Sequence, residues 1–206
     1  MNVSHSIAFR RRGIQFFGML LLTLPCCARC EADEPGKLIL LHNGINSVNF
    51  DGGELVGKVV IARRDNYNAH SFEISTFFAV LKTEADSEPE LKIIPIVDRD
   101  GKELFHLNTG GGADCVLFDY RLLAEPGRRD AILITADRKF GDNFADHQPV
   151  TFRYYRLTRN TKGLVGKAAL YFQFEKAMVS KQRYCDVNEA FAAELHIPED
   201  KGQRPP

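Results

Sequence analysis

From Leu38 to Phe174 the apolar residues recur mainly with a period of two, in short runs separated by turn residues. A strand places alternate side chains on opposite faces, so this pattern commits a chain to sheets buried on one face. Val59 and Ile61 share a face with Leu55, and Asp51-Gly52-Gly53 ahead of them is a hairpin turn. Phe72, Ile74, Phe78 and Val80 share one face of a longer strand, with Glu73 and Ser75 opposite. Between Phe77 and Leu81 both faces are apolar, which fits a central strand covered on both sides or one at an interface. Pro95 inside Leu91–Val97 favours an edge or a bulge. Asp98-Arg99-Asp100-Gly101 turns the chain into a strand over Glu103–Leu107. Val116, Phe118, Tyr120 and Leu122 alternate against Cys115, Leu117, Asp119 and Arg121. Ala131–Ala136, Val150–Tyr155 and Leu170–Phe174 follow as further strands.

The period then changes. Val187, Ala190, Phe191 and Leu195 fall at helical spacing, with Asp186 and Glu189 as a capping pair and Pro198 beyond the end. Many short strands and one terminal helix predict an all-β fold. We expect an antiparallel β-sandwich, immunoglobulin- or fibronectin-like or a related barrel, with one short C-terminal α-helix. One domain is expected over residues 33–198, and the polar, Pro-rich residues 199–206 read as a disordered tail.

The first residues read as an address. Arg10-Arg11-Arg12 precede an apolar run of about 11 residues, then Pro25 and the small residues Cys26-Cys27-Ala28. A membrane-spanning helix needs about 20 residues, so a cleaved signal peptide of residues 1–28 or 1–32 is expected, without stable membrane insertion. The chain carries 27 basic and 27 acidic residues. Removing Arg10, Arg11, Arg12, Arg29 and Glu31 leaves 23 against 26, a net charge of −3. That mild acidity argues against a nucleic-acid partner. Export also leaves Cys115 and Cys185 as an even pair if cleavage follows Ala32, and an oxidising compartment favours a bridge between them, two buried thiols being the alternative. Such a bridge closes a loop worth about 4 kcal/mol in the chain-entropy description.

Chemical motifs are sparse. Asn108–Asp114 is Gly-rich but lacks the Gly-Lys-Ser/Thr of a phosphate loop, so it reads as a hairpin connection, with Asp114 a turn aspartate or a weak ligand-binding candidate. Asp137, Asp142, Asp146 and His147 gather after one strand. Carboxylates of this kind bind Ca²⁺, but their spacing is not that of an EF-hand, and a solvated loop is the expected state. The histidines show no i, i+4 pair and no HExxH, and Gly-x-Ser-x-Gly and Ser-x-x-Lys are absent. No catalytic residue, metal site or cofactor is therefore assigned. Arg153 and Arg156, interleaved with Phe152, Tyr154 and Tyr155, are expected to pair with acidic neighbours or lie over aromatic surface.

Several stretches resemble a known family. Gly111-Gly112-Ala113-Asp114-Cys115 with Asp119-Tyr120-Arg121 is one. Ile134-Thr135-Ala136-Asp137-Arg138 with Ala145-Asp146 and Pro149-Val150-Thr151-Phe152 is another, and Tyr184-Cys185-Asp186-Val187-Asn188 a third. Together, over roughly residues 108–195, they are similar to the carbapenem intrinsic-resistance family of periplasmic, CarG-like proteins. The resemblance implies a β-rich periplasmic protein that protects against a carbapenem without hydrolysing it. It carries over no binding residues, and it makes Cys115 and Cys185 matching positions.

The expected function is that of an exported, periplasmic or secreted, non-enzymatic β-sandwich that binds a protein partner or a small molecule. One alternative is a metal-dependent hydrolase using the Asp137–His147 loop. Another is an interaction protein that pairs as a homodimer through Phe77–Leu81.

Overall fold

The structure is a computed structural model. It describes residues 36–51, 55–68, 70–81, 89–111, 115–124 and 130–199. The expected signal peptide, the Gly52-Gly53 turn, Asp114 and residues 200–206 of the tail lie outside these residues.

The strands are β1 (Lys37–Leu38), β2 (Gly44–Asn49), β3 (Val56–Arg64), β4 (Phe72–Leu81), β5 (Glu90–Ile93) and β6 (Ile96–Val97). They continue with β7 (Glu103–Leu104), β8 (Leu107–Gly111), β9 (Val116–Ala124), β10 (Ile132–Arg138), β11 (Gln148–Arg159) and β12 (Leu170–Tyr184). Helix α1 (Val187–Leu195) follows. The main path is β2-β3-β4-β8-β9-β10-β11-β12-β6-β7, with β1 beside β9 and β5 beside β4.

The path folds over itself. Val59, Ile61, Phe77 and Ala79 from one half pack with Leu122, Leu133, Leu157 and Phe172 from the other in one buried cluster. The far face of the second half carries Ile132, Ile134, Ala136, Val150 and Phe152, which pack on Val187, Ala190 and Phe191 of α1. Strands β9 and β10 are thus largely buried on both faces, between the first half and the helix. Phe77 anchors the inter-sheet layer through edge-on contacts to Tyr120 at 5.8 Å and Phe172 at 5.4 Å.

The expectation of an all-β fold with one C-terminal helix holds, and the details differ instructively. The sheet is mixed, because β12 and β6 run parallel, and the path stays open rather than closing into a barrel. Neighbours follow chain order through most of it, unlike the Greek-key connections of an immunoglobulin-like sandwich. The predicted strand Leu91–Val97 is split at Pro95. Ile94 N donates to Phe77 O at 2.9 Å and Phe172 N donates to Pro95 O at 2.8 Å, so the proline is the corner at which the chain changes partners. The predicted strand Glu103–Leu107 likewise ends at Leu104, and Leu107 begins β8. In β9, Val116 joins the helix-side cluster while Phe118 packs against the inter-sheet layer, because the β8–β9 register shifts between Gly110 and Gly111.

In β4 the core face is the one carrying Ser75, Phe77 and Ala79. The face with Phe72, Ile74, Phe78 and Val80 is only part-buried. It is continued in register by Lys58 and Val60 of β3 and by Leu91 and Ile93 of β5.

Strand β12 runs far beyond the Leu170–Phe174 segment legible by alternation, since Glu175–Arg183 is mostly polar and exposed. Backbone pairing with β11 carries it to the Gln148–Tyr184 register. Pro149 has no N–H to donate and sits at an irregularity of this ladder. Val150 N is satisfied there by Ser180 Oγ at 3.0 Å.

Candidate functional site

One end of the molecule gathers the β3–β4 turn, the start of β9 and the β10–β11 loop, because antiparallel pairing brings these connections to the same side. Glu73 lies opposite Thr109, Gly110 opposite Phe118, and Phe118 opposite Asp137. The Gly-rich strand end and the acidic loop therefore do share one end of the fold.

The β10–β11 loop is organised by a cation of the chain itself. Arg138 continues the face of Ile132, Ile134 and Ala136, and its side chain is 2% exposed. Its Nη1 donates to Lys139 O at 3.0 Å and to Asp146 O, and its Nη2 donates to Phe144 O. The guanidinium thus holds the loop carbonyls as a bound cation would. Burial lowers its pKa, while the charges of Asp146 and Asp186 oppose that shift.

Among the acidic candidates, Asp146 is spent on the loop itself. Asp146 Oδ2 accepts from Asp142 N at 2.6 Å and its Oδ1 from Asn143 Nδ2 at 3.0 Å. Gly141 turns beside it at φ 74°, where an added Cβ would stand 2.8 Å from the Asp146 side chain. Asp137 faces the inter-sheet side and accepts from Arg153 Nη1 at 3.1 Å. His147 is exposed, and its carbonyl accepts from Arg183 Nε at 2.7 Å. Asp142, Asp146 and His147 thus share a loop, whereas Asp137 belongs to the layer beneath it. Among the described residues no group of three or more His, Cys, Asp or Glu has a metal-holding arrangement.

The β3–β4 turn is equally prebuilt. Asp65 Oδ1 accepts from Tyr67 N at 2.8 Å and Ser71 Oγ at 3.1 Å, which holds the carboxyl below its ordinary pKa. Asn66 Nδ2 donates to His70 O at 2.8 Å. Tyr67 takes a left-handed φ of 54° and is 95% exposed. The two loops touch where His70 meets Phe144 at 5.7 Å, and Phe144 stands edge-on to the exposed Phe140 at 4.6 Å.

Beneath them the inter-sheet layer changes character. Leu122, Leu133, Tyr155 and Phe174 form one cross-strand row, and the next row toward the loops is Tyr120, Thr135 and Arg153. Tyr120 Oη donates to Ser75 Oγ at 2.9 Å, both side chains being buried. Burial pushes the Tyr120 hydroxyl well above the usual tyrosine range, and it raises Tyr155 as well. The layer ends at the Asp137–Arg153 pair, whose side chains are 46% and 37% exposed. Arg153 and Arg156 both have the acidic partners expected of them, Arg156 with Glu175 at 3.2 Å.

On the helix side, Cys115 and Cys185 form a disulfide with Cα atoms 5.7 Å apart. Asp186 Oδ1 caps the helix through Asn188 N at 2.7 Å, and its Oδ2 accepts from Val116 N at 3.0 Å. Asp186 thereby binds the helix start to β9 beside the bridge. A separate cleft of about 280 Å³ lies between the Asp98–Gly101 turn and the β11–β12 loop, with Arg99 and Lys167 interleaved with Asp98 and Glu103.

The alternation pointed to the strands but not to these polar groups. Arg138 falls on the period-two face of Ile132, Ile134 and Ala136, and Arg153 on that of Tyr155 and Leu157. A charge continuing a buried face was the signal that could have marked both.

The family model "Carbapenem resistance protein CarG-like" matches residues 41–193, well beyond the stretches of the C-terminal half that carry the resemblance in sequence. No curated protein matches the chain. The crystal structure of CarG is similar with a TM-score of 0.61 and 21% identity, covering 79% of this chain and 99% of that one. At that identity the likeness speaks for the fold.

Proposed function

The chain belongs to the carbapenem resistance CarG-like family, and from that premise we propose that it is an exported, non-enzymatic protein that protects against carbapenem-type antibiotics by binding a small molecule or a partner. The observation that carries this reading is the use of the acidic loop. Asp146 accepts from the Asp142 N–H and from Asn143 Nδ2 within a loop built around Arg138, and Asp137 pairs with Arg153. The carboxylates of Asp137 and Asp146 act as structural acceptors, which supports binding over the metal-dependent hydrolysis that the same loop suggested. The test is incubation of the purified protein with a carbapenem while β-lactam absorbance is followed. Catalytic turnover overturns the non-enzymatic reading. Loss of resistance on gene deletion, with the antibiotic left intact by the pure protein, supports it.

The disulfide fits an oxidising compartment. Among the described residues no helix is long and apolar enough to cross a membrane. The disulfide supports a periplasmic or secreted location reached through the N-terminal signal. The mass of the mature chain recovered from the periplasm tests this and separates cleavage after Ala28 from cleavage after Ala32.

A homodimer is the second reading. The outer face of β2–β5 leaves Ile45 68%, Leu91 49% and Ile93 46% exposed beside the part-buried Phe78 and Val80. Light scattering at high concentration decides it, a strict monomer removing the pairing.

A further inference from the structure

We infer that Arg153 is the anion-recognition group for a small molecule carrying a carboxylate, seated at the polar end of the layer between the two halves of the sheet. The inference rests on the small-molecule version of the binding function and names the ligand chemistry and the residue that reads it. Arg153 sits in β11, in register with Thr135 of β10 on one side and Ala177 of β12 on the other. Its backbone is therefore fixed by ladders on both sides, and a site built on paired strands holds its geometry better than one on a loop.

A guanidinium carries five N–H donors, and among the described residues the Arg153 side chain makes one hydrogen bond, from Nη1 to Asp137 Oδ2 at 3.1 Å. The single contact through Nη1 orients the group and leaves the rest of its planar fork for a second acceptor. That fork matches a carboxylate through two parallel hydrogen bonds. With its side chain 37% exposed, the group is within reach of solvent yet flanked by protein.

The strand row that carries Arg153 combines aromatic rings with placed hydroxyls, the residue types small-molecule sites draw on. Thr135 and Tyr120 follow Arg153 along one cross-strand row, Tyr120 bonded to Ser75 and all three buried, and Phe118 is the register partner of Asp137. A ligand with its carboxylate on Arg153 would lie at the solvent-facing edge of this row, beside the Asp137–Arg153 pair and the β3–β4 and β10–β11 loops.

The experiment is calorimetric titration of the full mature protein with a carbapenem bearing its free ring carboxylate, and with the methyl ester of the same compound. The wild type is expected to bind the acid about ten- to a hundredfold more tightly than the ester, the range for a charge-assisted contact. Arg153→Gln is expected to bind both at the ester's affinity, and Arg153→Lys to fall between, since it keeps the charge but loses the fork. The acid–ester comparison on the wild type needs no variant to fold. Equal binding of acid and ester, unchanged in Arg153→Gln, overturns the role of Arg153 while leaving the binding function standing. Absence of saturable binding of either compound to the wild type overturns both.

Discussion

Arg121 Nη2 donates to Asn188 Oδ1 at 2.6 Å, joining the middle of β9 to the first turn of α1 through a charge that is 97% removed from solvent. The same guanidinium donates to Asp119 Oδ2 at 2.9 Å and stands 4.6 Å from the Phe191 ring centre. Removing one partner of a buried pair leaves a charge in a medium that solvates it poorly, whatever the pair itself contributes. Arg121→Ala is therefore expected to lower the unfolding free energy by about 3–5 kcal/mol. Asn188→Ala is expected to lower it by about 1.5–3 kcal/mol. Because both changes act on one contact, the double variant should lose less than the sum, as measured by urea denaturation.

The disulfide works beside that pair. It spans 70 residues and fixes the start of α1 against the start of β9. Reduction, or replacement of Cys115 and Cys185 by alanine, is expected to destabilise the protein by about 2–5 kcal/mol. Thiol titration of the denatured, unreduced protein should find neither cysteine reactive, and recovery of both as free thiols sinks the assignment.

Arg138 occupies the place in the β10–β11 loop that a metal ion would need. Addition of Ca²⁺ or a chelator is accordingly expected to leave the thermal midpoint unchanged. Arg138→Lys should lower it, because one ammonium cannot reach carbonyls spread over Lys139, Phe144 and Asp146. A Ca²⁺-dependent rise in the midpoint would count against the caged guanidinium.

Gly57 faces Phe50 so closely that an added Cβ would stand 1.9 Å from the ring, and 2.8 Å from the Phe78 carbonyl. Both obstacles are buried or fixed by the ladder, so Gly57→Ala should destabilise by about 1–3 kcal/mol, the usual range for overpacking. An unchanged melting temperature would show that Phe50 can move aside freely.

Stability is expected to fall at both ends of the pH range, for separate reasons. Asp65 has a folded pKa below its ordinary value, through hydrogen bonds from Tyr67 N and Ser71 Oγ. Its contribution is present above the unfolded value of 3.8 and is lost as pH drops through the folded value, loosening the β3–β4 turn first. Burial raises Tyr120 and Tyr155, so their contribution is complete below about pH 10 and is lost as pH rises through their folded values. Hydrogen exchange of the turn amides in acid, and tyrosinate absorbance followed with denaturation in alkali, test the two limbs separately.

Much of the fold was legible because burial on one face of a strand enforces alternation locally. β3, β4, β9, β10 and β11 announce themselves this way, and the switch at Val187 marks the helix with its Asp186 cap. What escaped were features whose cause lies on another element. Strand β12 continues to Tyr184 because β11 lies beside it, although its own residues are polar. In β4 the apolar Phe72–Val80 set is the outer face, because Ser75 and Phe77 meet Tyr120 from across the layer.

The candidate site divides in the same manner. Asp137, Asp142, Asp146 and His147 form a visible cluster, yet nothing local separates a ligand set from a loop satisfied by its own hydrogen bonds. That outcome was decided by Arg138, whose buried guanidinium is turned to the loop carbonyls. The strand and helix periods, the candidate cysteine pair and the family resemblance are all legible in spacing along the chain. The tertiary structure alone decided which face of each strand is core, where the chain changes partners at Pro95, and which charges meet. Those depend on pairing between residues far apart in sequence, and the free energy of burying a polar group is set by whatever partner the fold brings to it.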